Sequence, residues 1–212
     1  MKKLNPDFES ILPNGITVTV DTISDAHTSE WLNPEERTEF DQLTSEQRKN
    51  EFLSSRKLLG ETIAAIGLDD DSFRLKKDSY GKPYGVSENR TFHVSIAHSR
   101  TCVVCGISGS HDIGIDIEPL ARQVSERVRE RIRHPQEHET LQTEPLIRLW
   151  TLKEALVKLE GRGLRTNLNR IRLHKHGRHT FSGIFDDEKS ARICSFTYGN
   201  HWIAVAFYHQ NN

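Results

Sequence analysis

Apolar residues recur at every second position in some stretches of this chain and at every third or fourth in others, which separates predicted strands from predicted helices. Ile16-Thr17-Val18-Thr19-Val20 alternates with β-branched residues and predicts a strand. Asn33-Pro34-Glu35-Glu36 predicts a helix start, with Asn33 as N-cap and Pro34 at the first helical position. A longer helix follows Thr44-Ser45-Glu46, with Phe52, Leu59, Ile63 and Ile66 as its apolar stripe and Gly67 as its stop. Tyr80-Gly81-Lys82-Pro83 is a turn signal, and residues 94–97 and 102–107 are short apolar runs on either side of a polar break. Ile113-Gly114-Ile115-Asp116-Ile117-Glu118 predicts a strand with its isoleucines on one face. Residues 122–133 have helical composition, interrupted by Pro135. The clearest helix covers residues 146–160, with Leu149, Leu152, Leu156 and Leu159 as its buried stripe and Gly161 and Gly163 ending it. Strands are predicted around residues 170–174, 191–198 and 201–208, with a further candidate at 181–185. Each half therefore combines strands with one long packed helix, an α+β arrangement of two similar lobes divided near residues 108–111.

Composition narrows the function classes. Twenty-nine basic against thirty acidic residues give a net charge of -1, so no global field holds a polyanion, and any basic surface must be local. No run approaches the ~18 apolar residues of a membrane span. Met1-Lys2-Lys3 is followed by Leu4-Asn5-Pro6-Asp7 with no apolar stretch, and three cysteines make no disulfide framework, so the expected compartment is the cytosol. Cys102 and Cys105, three apart on a strand, face opposite sides; with Cys194 the only other thiol, they read as core residues and not as a zinc site. His174, His176 and His179 are expected at a hairpin.

Asp116 and Glu118 stand two apart on a predicted strand, so both carboxylates project to one face, ~7 Å apart along it. Two like charges repel, and a hard cation offsets that; magnesium accepts one or two carboxylates and keeps room for water and phosphate oxygens. A solvated acidic strand end is the alternative. On the long helix, Thr151, Glu154 and Lys158 share a face beside the leucine stripe. Glu154 and Lys158 are an i,i+4 pair, worth only ~0.2–0.5 kcal/mol when solvated. In a functional version Glu154 is a third metal ligand or general base, and Lys158 meets the developing charge of a leaving group. His98, ending Val94-Ser95-Ile96-Ala97-His98, is either a phosphate donor or a structural residue. Arg56 offers a planar fork for phosphate and Lys82 a point charge. Arg122, Arg127, Arg129, Arg131 and Arg133 make a basic helix face, either balanced by Glu126 and Glu130 or a docking patch for an acidic partner.

Taken in order, Ser55-Arg56-Lys57-Leu58-Leu59-Gly60-Glu61, Tyr80-Gly81-Lys82-Pro83, Ile96-Ala97-His98-Ser99, Ile113 through Glu118, Leu149-Trp150-Thr151-Leu152-Lys153-Glu154 through Lys158, and Gly161-Arg162-Gly163-Leu164 resemble the 4′-phosphopantetheinyl transferase superfamily, in its surfactin-type (Sfp-type) two-lobed branch. The resemblance implies two pseudo-symmetric lobes, each a small, mainly antiparallel sheet packed on a long helix, with the active site between them. It assigns coenzyme A adenosine and phosphate contacts to residues 1–109, and the metal and catalytic residues to 110–212. The implied reaction moves the phosphopantetheine arm of coenzyme A to a serine of an apo acyl or peptidyl carrier protein and releases 3′,5′-ADP. Asp116, Glu118 and Glu154 would hold magnesium, Glu154 would serve as base, and Lys158 would assist the departing phosphate. His98 would contact the phosphates, while Arg56, Lys82 and Pro83 would surround the adenosine 3′-phosphate and adenine. Arg122, Arg129 and Arg133 become a docking patch for an acidic carrier, and a monomer is expected. Ala97 departs from the pattern: many relatives carry a serine there, so a hydroxyl contact is lost or comes from Ser95 or Ser99. Two rival readings remain. A non-catalytic coenzyme A- or carrier-binding regulator fits poorly with an intact acidic set and Lys158. A magnesium-dependent nuclease lacks the basic surface that a phosphate backbone needs.

Overall fold

The structure, a computed structural model, describes residues 2–3, 8, 10–68, 72–137, 141, 143–162 and 166–208. Strands β1 (Lys2–Lys3), β2 (Ile16–Thr22), β3 (Phe73–Lys77), β4 (Pro83–Ser87), β5 (Arg90–His98) and β6 (Cys102–Ser108) form one antiparallel sheet in the order β1-β2-β6-β5-β4-β3. Strands β7 (Ile113–Pro119), β8 (Arg172–Lys175), β9 (Thr180–Ile184), β10 (Ser190–Tyr198) and β11 (His201–Tyr208) form a second, in the order β7-β11-β10-β9-β8. Helices α1 (Pro34–Asp41) and α2 (Glu46–Ala65) follow β2; α3 (Glu126–Ile132) and α4 (Leu146–Glu160) follow β7. Leaving β1 aside, the two sheets have one topology. In each, the first strand lies beside the last and the others follow in reverse. The fold is α+β with two lobes of like design.

Side-chain alternation explains the layers. In the first sheet Val94, Val103, Cys105 and Ile107 pack with Leu58, Leu59 and Ile63 of α2. The opposite face, with Val18, Val20 and Val104, meets Ile113, Ile115, Ile117, Phe196, Ile203 and Val205 of the second sheet. The far face of that sheet, through Ile193, Ala204 and Ala206, receives Leu152, Leu156 and Leu159 of α4. Helix, sheet, sheet and helix therefore stack in that order. The three cysteines lie inside the stack, where burial pushes Cys105 up to about 12 and Cys102 and Cys194 up to about 11. Among the described residues no helix is long and apolar enough to cross a membrane.

Local signals set the helix ends. Asn33 and Glu36 form a reciprocal capping box at α1. Ser45 caps α2, and Gly67 beyond its end takes φ +77°. All four leucines of the α4 stripe are buried, and Gly161 takes φ +79° at its end. Three expectations need correcting. On α2 Leu59 and Ile63 are buried, but Phe52 is only partly so and Ile66 is exposed; Leu53, Leu58 and Thr62 take their place, because the buried face is built partly of hydroxyl side chains bonded back to the helix. The arginine-rich helix is confined to Glu126–Ile132, so Arg122 precedes it and Arg133, with extended dihedrals, ends it. Residues 168–170 form a 3-10 turn before β8. Gly163 and Leu164, and residues 4–7, lie outside the described residues.

Candidate active site

The acidic site grows from the contact between β7 and α4. With Ile113, Ile115 and Ile117 committed to the inter-sheet core, strand parity turns Gly114, Asp116 and Glu118 toward the helix. Gly114 makes the approach close, since a Cβ there would collide with the Ala155 carbonyl oxygen and the Leu159 amide nitrogen. Lys158 Nζ donates to Asp116 Oδ1 at 2.8 Å. Asp116 Oδ2 is buried without a hydrogen-bond partner. Burial raises the Asp116 pKa above the usual carboxylate value although Lys158 opposes it. Glu118 accepts from the Arg122 guanidinium, which also lies 5.6 Å from the Trp150 ring centre. Burial raises its pKa too, and the Asp116 charge adds to the effect. Glu154, one turn before Lys158, is raised first by burial and then by the charge of Asp116, with a smaller contribution from Glu118. The three carboxylates thus share one electrostatic environment.

As the side chains stand, no three Asp, Glu, His or Cys groups among the described residues converge closely enough to ligate one ion. Lys158 occupies Asp116, and Arg122 occupies Glu118. The donor set nevertheless suits a hard dication: all oxygen, mutually repelling, with one buried carboxylate oxygen left unpartnered. Thr151, expected on the same face, is instead fully buried, its hydroxyl donating to the Ile147 carbonyl. Lys158 pairs with Asp116 across the elements and not with Glu154 along the helix.

A second feature lies in the N-terminal lobe. Arg56, Pro83 and His98 line an open cleft of about 740 Å³. Arg56 Nε lies 2.9 Å from Glu36 Oε1 and Nη2 3.3 Å from Glu39 Oε2, with the guanidinium 4.5 Å from the Phe52 ring centre. His98 Nδ1 is 3.6 Å from Glu51 Oε2. Arg48 and Lys77 line the same cleft and escaped the sequence reading, because single basic residues on a polar surface carry no spacing signal. Lys82 joins neither group: its ammonium donates to Asp112 Oδ1 and to the Leu159 carbonyl at 2.6 Å. Arg122, Arg127, Arg131 and Arg133 are exposed, and Arg129 pairs with Glu126 at 2.8 Å. His176 Nε2 lies 2.8 Å from Ser182 Oγ, and His179 Nδ1 3.0 Å from the Ser195 carbonyl oxygen.

Lys153 also escaped notice, although it falls within the apolar stripe, four residues after Leu149. Its buried ammonium meets Glu137 Oε1 at 2.5 Å and the Ile171 carbonyl at 2.9 Å, and also bonds the Ile132 carbonyl. It ties the end of the arginine-bearing α3 to the helix that carries Glu154.

Residues 112–206 match the family model described as the 4′-phosphopantetheinyl transferase superfamily. The chain is 30% identical over 138 residues to the 4′-phosphopantetheinyl transferase gsp of Aneurinibacillus migulanus, covering 59% of this chain and 56% of that protein. It is 28% identical over 156 residues to the 4′-phosphopantetheinyl transferase Sfp of Bacillus subtilis (strain 168), covering 69% of each. With the 4′-phosphopantetheinyl transferase ffp of Bacillus subtilis it shares 30% identity over 137 residues, 58% of this chain and 60% of the relative. The chain therefore spans little more than half to about two thirds of the length of these relatives. Residues 112–206 are thus similar to the 4′-phosphopantetheinyl transferase superfamily, and the curated relatives that the chain matches carry that transferase name.

Proposed function

We propose that this chain transfers the 4′-phosphopantetheine arm of coenzyme A to a serine of an apo acyl or peptidyl carrier protein and releases 3′,5′-ADP. The observation that carries the reading is Asp116: its carboxylate is buried, raised by that burial, and held by Lys158 through one oxygen only. Asp116, Glu118 and Glu154 would hold magnesium. When bound, the ion neutralises pyrophosphate charge and polarises the phosphorus. Glu154, whose proton affinity is raised by burial and by Asp116, accepts the proton of the carrier serine. The serine oxygen bonds to the phosphorus bearing the pantetheine, and the bond from that phosphorus to the bridging pyrophosphate oxygen breaks. Lys158 then offsets the charge gathering on the departing 3′,5′-ADP.

In this reading residues 1–109 bind the adenosine end, with Arg56, Pro83 and His98 around the cleft, and residues 110–212 carry the chemistry. The exposed arginines beside the acidic site receive the acidic carrier, and the enzyme acts as a cytoplasmic monomer. Incubating an apo carrier with this protein, coenzyme A and magnesium should add one phosphopantetheine, about 340 Da from its formula, by intact mass spectrometry. EDTA and Glu154→Ala should each abolish the gain. Coenzyme A binding without modification of either an acyl or a peptidyl carrier would overturn the catalytic reading in favour of a regulator. Reversing Arg129 and Arg133 to glutamate should raise the KM for carrier while leaving coenzyme A affinity unchanged; unaltered carrier kinetics would remove those residues from the interface.

A further inference from the structure

Lys82 stands on the β3–β4 turn, whose backbone is firmly held. Gly81 takes φ +89°, and Asp78 Oδ1 accepts from the amides of Tyr80 at 2.8 Å and Lys82 at 2.9 Å. From this anchor the side chain crosses to the other lobe. Its stem lies on Gly161, where a Cβ would stand 2.7 Å from Lys82 Cδ, so the left-handed glycine that ends α4 also opens the path for the lysine. The ammonium reaches two acceptors, both in the C-terminal lobe. One is the Leu159 carbonyl in the last turn of α4, at 2.6 Å, where a cation also meets the negative end of the helix dipole. The other is Asp112 Oδ1, at 2.5 Å, on the segment that leads into β7. His93 of β5 adds a second N-lobe contact, its Nδ1 3.4 Å from the same oxygen. The Lys82 side chain is 15% exposed, so this is a largely desolvated clasp and not a surface pair.

The elements it joins are the ones a two-lobed site needs in register. Leu159 follows Lys158 directly, and Asp112 precedes the strand bearing Asp116 and Glu118. On the other side Pro83, the next residue along, lines the N-lobe cleft. We propose that Lys82 is an inter-lobe positioning residue, which fixes the acidic site on β7 and α4 at a set distance from the cleft lined by Pro83, and is not itself a ligand of a substrate phosphate. The kinetic half of this inference rests on the carrier-modifying reading; the thermodynamic half does not.

The two roles separate when coenzyme A is compared with 3′-dephospho-coenzyme A. A positioning lysine affects both substrates alike, and the loss appears in kcat at saturation, because misplacing the reacting groups is not repaired by more substrate. Lys82→Met should lower kcat about ten-fold with either substrate, leave the ratio of their KM values as in the wild type, and be largely rescued by Lys82→Arg. A loss confined to the KM for coenzyme A and absent with the dephospho form would overturn the proposal, as would an unchanged kcat. Urea unfolding supplies an independent arm. Lys82→Met and Asp112→Asn together should destabilise no more than the worse single change, whereas additive losses would break the clasp. Should the wild type modify no carrier and bind no coenzyme A, the functional reading falls while the unfolding cycle still decides the clasp.

Discussion

The two lobes share a scaffold and differ in what they place on it. Thr22 of β2 lies opposite Cys102 and Pro119 of β7 opposite His201, each at the end of the strand pair. Matching these ends pairs Thr17 with Gly114, Thr19 with Asp116, and Asp21 with Glu118. At the central position the N-terminal lobe holds a neutral contact, Thr19 Oγ1 to Thr62 Oγ1, fully buried against its helix. The C-terminal lobe holds the Asp116–Lys158 ion pair there, with a second carboxylate oxygen unpartnered. Burying charge is expensive even when paired, and the hydroxyl pair shows that this topology closes without it. The topology therefore does not require a carboxylate at this place, as the proposed metal-holding role of Asp116 expects.

The strongest way to break that comparison is to give the C-terminal lobe the residue of its twin. Asp116→Thr should cut carrier modification by about a hundred-fold or more, the scale seen when a preorganised electrostatic group is removed from a site. Stability should hold or rise, because a raised, half-satisfied buried carboxylate is removed and Lys158, partly exposed, regains water. Mass spectrometry of the carrier and a thermal melt read the two halves. Activity within a few-fold of wild type would mean that Asp116 is not part of the machinery.

Next in size is the closeness of the helix. Gly114 lets α4 touch β7 backbone to backbone, whereas Thr17, its counterpart, carries a half-buried side chain beneath α2. Gly114→Ala should cost about 1–3 kcal/mol by overpacking, since the obstructing atoms are main chain and have no rotamer to yield. Thr17→Ala should stay within about 1 kcal/mol. Urea denaturation of both variants tests the difference. Equal losses would show that the two helices sit on their sheets in the same way.

The same pairs explain how much could be read from the sequence. Period-two alternation marks β2 and β7, and the leucine stripe marks α4, because apolar side chains on one face leave a direct trace; β5 and β6 show only as short apolar runs, and β3 and β4, largely polar or partly exposed, carry no such pattern. The α2 face departs from the apolar spacing where it buries Ser54, Ser55 and Thr62, polar residues of which Ser55 and Thr62 bond back to their own helix. Strand parity put Asp116 and Glu118 on one face. It could not choose Asp116 over Glu154 as the partner of Lys158, since that depends on helix-to-strand distance. The contacts of Lys82 leave no trace in the sequence for a related reason: its acceptors, Asp112 and Leu159, lie 30 and 77 residues away.

The smallest expected effect concerns how each long helix begins. Helix α2 starts on a neutral cap, Ser45 Oγ accepting from the Arg48 amide at 3.2 Å. Helix α4 has no side-chain cap and starts on charges: Glu144 accepts from Arg148 Nη1 at 2.7 Å and Lys175 Nζ at 2.6 Å. Arg148 lies between the rings of Phe181 and Trp202, 4.9 and 4.5 Å from their centres, and donates to the Arg178 carbonyl at 2.6 Å. Burial alone would raise the Glu144 pKa, but the hydrogen bonds from Lys175 and Arg148 outweigh it and hold the carboxyl below its ordinary value. A depressed folded pKa contributes stability that is present above the unfolded value, about 4.3 for glutamate, and is lost as pH falls through the folded one. Glu144→Gln should therefore be less stable than wild type at neutral pH, where Arg148 loses its carboxylate. It should also decline less between about pH 5 and pH 3, because the variant has no proton to take up at this position. Urea midpoints measured across that range test the sign, and parallel declines for the two proteins would show that the acid response of the C-terminal lobe arises elsewhere.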